Sequence, residues 1–438
     1  MSQQDIAKSN TNFEHFINYK KNYENYETIN QIDEYGLYDN YKISGFGLKV
    51  SQHRLIQRLK QIHQLAGMFF LNDKISHKRY EHCLGVGYLC RYACESLMKK
   101  YPNEISKKDI ILLELAGIFH DSHLFFSHTT DMLIKKKCES GELKIDKIKQ
   151  KHEYRSVRIT EIVLTDLGFI TSNIDNKDDN LITINELRFI QHCIDPNITK
   201  ELYGECKYKF KAGLDDILNG EHTGFDCDRL DYLYRDSIFL GYNFEKNSTN
   251  TTENRIKQIL RNTHIIDNHI HISVVDYNDV CNFLMQRASF HMNEYNSERA
   301  MYVDLLIAEV LQDFLNYTNG YECILLETEE HIKQFEFFTD INLLNYLNNV
   351  KHKGILSRAN SIIQSLKDKK DFAVTKTTSK FVKGIENISM SKSFKLHDFG
   401  DVQKNIGKIK IHLNGKKYDV DSQESLNFSY NMPNVNST

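Results

Sequence analysis

Proline is the residue that most constrains this chain, because so little of it is present. In 438 residues it occurs only at positions 102, 196 and 433. A proline inside a helix removes a backbone hydrogen bond and clashes with the preceding turn, so its scarcity leaves long stretches free to be helical. Helical periodicity fills those stretches. In residues 82–98, His82, Val86, Leu89, Ala93 and Leu97 fall on one stripe. Ser106-Lys107-Lys108-Asp109 reads as a capping box that opens a helix running towards His120. Segments 153–166, 187–194, 228–240, 280–291 and 299–316 also read as helices, as do "DINLLNYLNN" and "ILSRANSIIQSL" further on. The tail differs: "IGKIKIHLNGKKYDVD" (406–421) alternates apolar and polar residues around Asn414-Gly415, a hairpin signal. The expected fold is mainly α, a helical core with a smaller α+β C-terminal part that contains a β-hairpin. Three regions are expected: a polar, irregular N-terminal extension (1–43), the core (44–320), and C-terminal helices, hairpin and flexible tail (321–438).

Bulk properties exclude several classes. A formal net charge of −3 argues against a protein that coats nucleic acid. No apolar run reaches membrane-spanning length, and the opening "MSQQDIAKSN" lacks a signal-peptide shape. Nine cysteines, an odd number without a CxxC pair, read as reduced thiols in a cytoplasmic or nuclear protein.

Chemistry concentrates in "ELAGIFHDSHLFFSHTTD" (114–131), where an apolar helix runs into His120-Asp121. A His-Asp dipeptide alone is weak evidence, and the chain carries its own control in His397-Asp398, which has no histidine-rich neighbours. Three other segments supply context. In "HKRYEHCLGVGYL" (77–89), His82 lies on the apolar stripe; "KHEYRS" (151–156) is a His-Glu pair at a helix start; "GFDCDRLDYLYRDS" (224–237) sets Asp226, Asp228, Asp231 and Asp236 among apolar residues. Positions 228, 231 and 235 lie close to one helix face. A carboxylate there costs several kcal/mol to bury, by rough estimate, unless paired or metal-bound. The alternative is that Asp228 only caps the helix, where aspartate is favoured.

Together these segments resemble the HD-domain phosphohydrolases. Within them they resemble the deoxynucleoside triphosphate triphosphohydrolases of the sterile-alpha-motif and HD-domain type, without the sterile-alpha-motif domain. The family pattern R-[FY]-E-H-[ST]-L-G-V is matched by Arg79 to Val86, with cysteine at position 83. The H-D and the later F-S-H are matched at 120–121 and 126–128, K-H-E-x-x-S at 151–156, and D-x-D-[RK]-x-D-Y-x-x-R-D from Asp226 to Asp236. The four motifs keep the family order over roughly residues 44–300.

The resemblance implies an HD-domain helical core over 44–320 and metal ligands His82, His120, Asp121 and Asp228. Two imidazoles and two carboxylates suit one divalent transition metal ion (Fe, Mn, Zn or Ni), with Mg accompanying the substrate phosphates. It implies phosphate contacts from Arg79, Arg229 and Arg287, and sugar contacts from Gln64, Leu65, Tyr232, Asp236 and Tyr295. For proton transfer it implies His123, His128 with Asp131, and His152 with Glu153, since a carboxylate partner fixes a histidine tautomer and raises its basicity. The implied reaction is hydrolysis of a deoxynucleoside triphosphate to the deoxynucleoside and inorganic triphosphate. Two other readings stay open: an HD phosphohydrolase acting on a nucleoside monophosphate or cyclic nucleotide, and a degenerate homologue that binds a nucleotide or a partner protein. The implied partners are a nucleotide substrate and further copies of the chain, in a dimer or higher oligomer.

Two departures stand out. Between the H-D and the F-S-H the family has five residues, with two glycines and a proline; this chain has four, Ser122-His123-Leu124-Phe125. Glycine turns the backbone tightly at low cost, which leucine and phenylalanine do not. In "KISGFGLKVSQHRLIQRLKQI", Gln52 and Lys60 stand where the family's regulatory nucleotide site has Asp and Arg, so regulatory GTP binding is not implied.

Overall fold

The computed structural model describes residues 27–29, 37–38, 41–122, 125–173, 178, 180–220, 224–242, 252–349, 357–368, 411–413 and 416–418. At its centre lies the helix Lys107–Phe119, whose residues from Asp109 to Phe119 are all buried. A helix apolar on every side has to be enclosed by others. The capping box read from the sequence opens it: the Ser106 hydroxyl accepts from the Asp109 N–H (3.2 Å), and Asp109 Oδ2 accepts from the Ser106 N–H (2.7 Å). Its other buried acid, Glu114, accepts from the Ser44 N–H (3.1 Å) and faces Arg91 (3.4 Å).

The helix Arg79–Lys100 packs along this central helix. Their backbones meet at Gly87 and Gly117, where a Cβ on Gly117 would lie 2.8 Å from the Gly87 Cα. Only glycines allow so close an approach, and it fixes the distance between the two helices that carry His82 and His120. Around this pair stand the helices His152–Asp166, Ile184–Ile194, Cys227–Phe239 and Thr252–Asn262. The helices Ser127–Glu139, Tyr277–Phe290 and Glu298–Tyr317 close a second side. A second capping box, between Thr183 and Glu186, begins the helix Ile184–Ile194 (2.7 and 3.3 Å).

The expected boundaries at 43 and 320 do not divide the packing. β1 (Glu27–Ile29) and β2 (Tyr41–Ile43) form an antiparallel pair, and Tyr41 and Ile43 are buried on either side of exposed Lys42. Together with Leu37 and Tyr38 they join the main core, so the end of the expected irregular extension is ordered by burying alternate side chains. Beyond 320, Phe335, Phe338, Leu343, Leu347, Ala359 and Ile363 belong to the same core.

Strand pairing is sparse. β3 (Ile170–Thr171) and β4 (Ile182–Thr183) make a short parallel pair. β5 (His264–Ile266) and β6 (His269–Ser273) form a hairpin through Asp267-Asn268, both with positive φ (51° and 64°). That is the backbone a two-residue hairpin turn demands. The hairpin expected near the C-terminus takes the form of β7 (Ile411–Leu413) and β8 (Lys416–Tyr418), in the register expected around Asn414-Gly415. β7 runs parallel to β6, with Ile272 opposite Ile411, so both hairpins share one four-stranded sheet.

Candidate active site

Helix geometry delivers the first three side chains. His82 lies in the first turn of Arg79–Lys100, His120 directly follows the central helix, and Asp228 lies in the first turn of Cys227–Phe239. Asp228 Oδ1 is 3.1 Å from His82 Nε2 and 3.3 Å from His120 Nε2, and the two imidazoles meet edge to face at 5.1 Å. These three form the one potential metal-holding group among the described residues. Asp228 does not cap its helix. Asp226 does, accepting from the Arg229 N–H at 2.7 Å.

The outer hydrogen bonds set both tautomers. His120 Nδ1 lies 2.7 Å from the Gly117 carbonyl, which can only accept, so Nδ1 carries the hydrogen and Nε2 the lone pair. His82 Nδ1 lies 2.7 Å from Asp231 Oδ2, and its buried Nε2 makes no aligned hydrogen bond. Two imidazole lone pairs and a carboxylate oxygen thus converge, an arrangement of acceptors that suits a cation. Electrostatics follow the contacts. Burial lowers the pKa of His82, but the neighbouring carboxylates of Asp228 and Asp231 outweigh it and raise it overall. His120, facing one carboxylate instead of two, stays depressed by burial. Burial alone would raise the Asp228 pKa; the two histidines hold it well below the usual range. Asp121, the fourth expected ligand, stands just outside the cluster. Its Oδ2 is 3.8 Å from His82 Nε2 and is ion-paired with Arg79.

A cavity of about 480 Å³ opens over this cluster. The expected substrate residues Gln64, Leu65, Arg79, Arg229, Tyr232, Asp236, Arg287 and Tyr295 all line it, with His152. Arg287 Nε donates to the Tyr232 hydroxyl (3.0 Å), and the Tyr295 hydroxyl donates to Asp236 Oδ2 (2.6 Å). Asp236 Oδ1 meets the buried His77 Nε2 at 2.7 Å, and the His77 ring stacks on Phe239. Tyr295 closes a single π turn, His291–Tyr295, a distortion common beside functional sites.

The proton-transfer residues are only partly brought together. His152 Nδ1 is 3.4 Å from Asp131 Oδ2, and its Nε2 is 3.3 Å from Glu153. Asp131 also pairs with the buried Arg155. His123 lies outside the described residues, and of His128 only the backbone, in the helix Ser127–Glu139, is described. The shortened loop turns at Phe126, in the left-handed region (φ 44°) that glycine would adopt freely. Burial holds it there. Phe125 packs edge-on against Phe314 and Phe338, and the Phe126 N–H donates to Asp340 Oδ1 at 2.6 Å. Asp340 also accepts from the His63 N–H (2.7 Å).

Sequence reasoning assigned no role to Asp231, which it named, and missed His77, Arg155, Asp340 and Asp304. Asp304 lines the cavity from the helix Glu298–Tyr317 and accepts from the Thr129 hydroxyl at 3.1 Å. Burial raises its pKa from the ordinary 3.8 to about 7. An unfolded Asp304 ionises near 3.8 and the folded one near 7, so the folded state binds the extra proton between them. Stability is therefore lost as pH rises from about 4 to about 7. At about 1.4 kcal/mol per pH unit over that interval, the ceiling is about 4 kcal/mol. Asp304→Asn should accordingly melt higher than wild type at pH 8 and level with it near pH 4.5, as read by thermal denaturation at both values. A Tm difference independent of pH would refute the assignment.

Comparison with known proteins supports the resemblance read from the motifs. The deoxynucleoside triphosphate triphosphohydrolase SAMHD1 of Gallus gallus is 28% identical over 271 residues, 58% of this chain and 41% of the relative. Its counterpart from Bos taurus is 34% identical over 194 residues, 42% of this chain and 31% of that protein. An HD domain-containing protein of Acanthamoeba polyphaga mimivirus is 24% identical over 310 residues, 67% of this chain and 59% of the viral one. The chain spans less than half the length of these SAMHD1 relatives. No family model matches it. No described helix is long and apolar enough to cross a membrane.

Proposed function

We propose that this chain hydrolyses deoxynucleoside triphosphates to the deoxynucleoside and inorganic triphosphate. The observation that carries the reading is the convergence of His82 Nε2 and His120 Nε2 on Asp228 Oδ1 beneath an arginine-lined cavity. His82, His120 and Asp228, with Asp121 as fourth ligand, would hold a divalent ion. Such an ion, when bound, polarises a phosphoryl oxygen and lowers the pKa of bound water. Everything else is the work of the chain. Arg79, Arg229 and Arg287 bind the triphosphate, since planar guanidinium groups match phosphate oxygens two at a time. Tyr232, Asp236 and Tyr295 hold the sugar, with the carboxylate oriented by His77. His152, set between Asp131 and Glu153, delivers a proton to the leaving 5′-oxygen, and His128 stands as the second candidate for that step.

The test is direct: purified protein with each of the four dNTPs and Mn²⁺, Mg²⁺, Fe²⁺, Zn²⁺ or Ni²⁺ in turn, with products separated by ion-exchange chromatography. Inorganic triphosphate is the expected product. Pyrophosphate or orthophosphate in its place, or no turnover with any of these metals, would reject the reading.

A further inference from the structure

Asp304 is the acid of the cavity lining for which the proposed reaction has no use. It sits on a helix whose other inward positions, Ala300, Val303, Ile307 and Leu311, are buried and apolar. Its helix packs against the turn Ala66–Phe70 and the helix Ser127–Glu139, which add Ala66, Met68, Thr129 and Met132 to the cavity lining. The Thr129 hydroxyl engages Oδ1. A carboxyl in such a wall is costly unless something hydrogen-bonds to it. The three arginines of the cavity belong to other helices, Arg79–Lys100, Cys227–Phe239 and Tyr277–Phe290, and none contributes to the electrostatic environment of Asp304.

That division of charge orients the substrate. A triphosphate carries several negative charges, so it lies against the arginines and is repelled by an acid that no cation among the described residues offsets. What reaches Asp304 is the uncharged end. The sugar is already met by Tyr232, Asp236 and Tyr295, which leaves the base. Methionine thioethers and an alanine methyl suit the face of a flat ring, and a carboxyl oxygen suits its N–H edge.

We infer that Asp304, seated on Thr129, reads the hydrogen-bonding edge of the nucleobase and sets the base preference of the enzyme. The inference rests on the cleft being a dNTP site. Adenine, cytosine and guanine each offer an exocyclic amino group to the acid. Thymine offers a ring N–H flanked by two carbonyls, which a carboxylate repels.

The experiment measures kcat/KM at pH 8, where Asp304 is mostly ionised, for dATP, dCTP, dGTP and dTTP on wild type, Asp304→Leu, Asp304→Asn and Thr129→Val. Wild type should favour the three amino-bearing bases over dTTP by about 10-fold or more, the scale at which a hydrogen-bonding site rejects a mismatched partner. Asp304→Leu should bring the four within about 2-fold. Asp304→Asn, whose amide can donate to a thymine carbonyl, should raise dTTP relative to the others. Should Asp304→Leu fail to fold, Thr129→Val decides, with an expected narrowing of about 3-fold. An active wild type whose base ranking survives these changes overturns the inference and leaves the proposed reaction standing. A wild type inactive on all four dNTPs overturns both.

Discussion

Replacing Asp228 with alanine is expected to lower turnover about a thousand-fold or more and to strip the protein of its metal. Asp228 Oδ1 is the point on which both histidines converge, at 3.1 and 3.3 Å. Its removal leaves two imidazoles with no anion between them, and a site with one carboxylate fewer binds a hard or borderline cation far more weakly. The fold should survive. The Asp228 side chain keeps about a third of its surface exposed (35%), and the helix N-terminus is capped by Asp226. That removes the capping reading that the sequence alone left open for Asp228. Asp226→Ala should show the reverse pattern, losing about 1 kcal/mol as a capping residue does while keeping its metal. Elemental analysis of the purified variants, beside triphosphate release, separates the two. His397→Ala, in the other His-Asp pair, should behave as wild type. Stoichiometric metal in Asp228→Ala would show that the ligand set is wrong.

Much of the helical core was legible because its signals are local. Proline scarcity, the stripe in residues 82–98 and the box at Ser106 depend on neighbours within four positions, and each helix read from them is present. The same holds for the hairpin around Asn414-Gly415. The β5–β6 hairpin was also readable, since "HIIDNHIHIS" alternates around Asp-Asn, but the alternation is histidine-rich and does not stand out as apolar. What no local signal could give is the parallel pairing of β6 with β7, strands separated by more than a hundred residues. Burial of Tyr41 and Ile43 was hidden for a related reason: they end a segment whose composition is that of an irregular arm.

At the site, the motifs located residues whose chemistry is distinctive in any context, but not their partners. Asp231 was visible as one of four aspartates, yet its role depends on His82, 149 positions away. His77 and Asp236 are 159 apart, and Asp340 and Phe126 are 214 apart. Asp304 had one readable signal, a lone acid in the apolar run "YVDLLIA". The loop gave the opposite lesson. Losing two glycines did not abolish the turn, because burial of Phe125 and Phe126 and the bond to Asp340 hold a phenylalanine at positive φ. Sequence gives the intrinsic cost of such a backbone, and the packing that offsets it comes from residues two hundred positions away.

Asp231 carries the second large effect, and it separates orientation of a ligand from stability of the fold. Its Oδ2 meets His82 Nδ1 at 2.7 Å and accepts from Arg235 Nε at 3.0 Å, while Oδ1 accepts from Arg235 Nη2 at 3.0 Å. Both Asp231 and Arg235 are fully buried, and Gly85 is glycine where any Cβ would collide with this carboxylate. Burial pushes the Asp231 pKa up, but Arg235 and His82 outweigh it and hold the group ionised. Asp231→Ala removes both carboxylate bonds from a buried guanidinium and should cost about 3–5 kcal/mol. Asp231→Asn keeps the shape and should cost less, yet its single oxygen cannot serve His82 and Arg235 with the same bonds. Metal affinity should then fall about 10- to 100-fold, the usual cost of losing a partner that orients a metal-binding histidine. The double variant Asp231→Leu/Arg235→Met removes the buried pair as a unit. It should recover most of the stability lost in Asp231→Ala, since a well-packed apolar pair can replace a buried ion pair. It should not recover metal affinity, because His82 still lacks its acceptor. Chemical denaturation and metal titration on the three variants test this; wild-type affinity in Asp231→Asn would mean that His82 is oriented by packing alone.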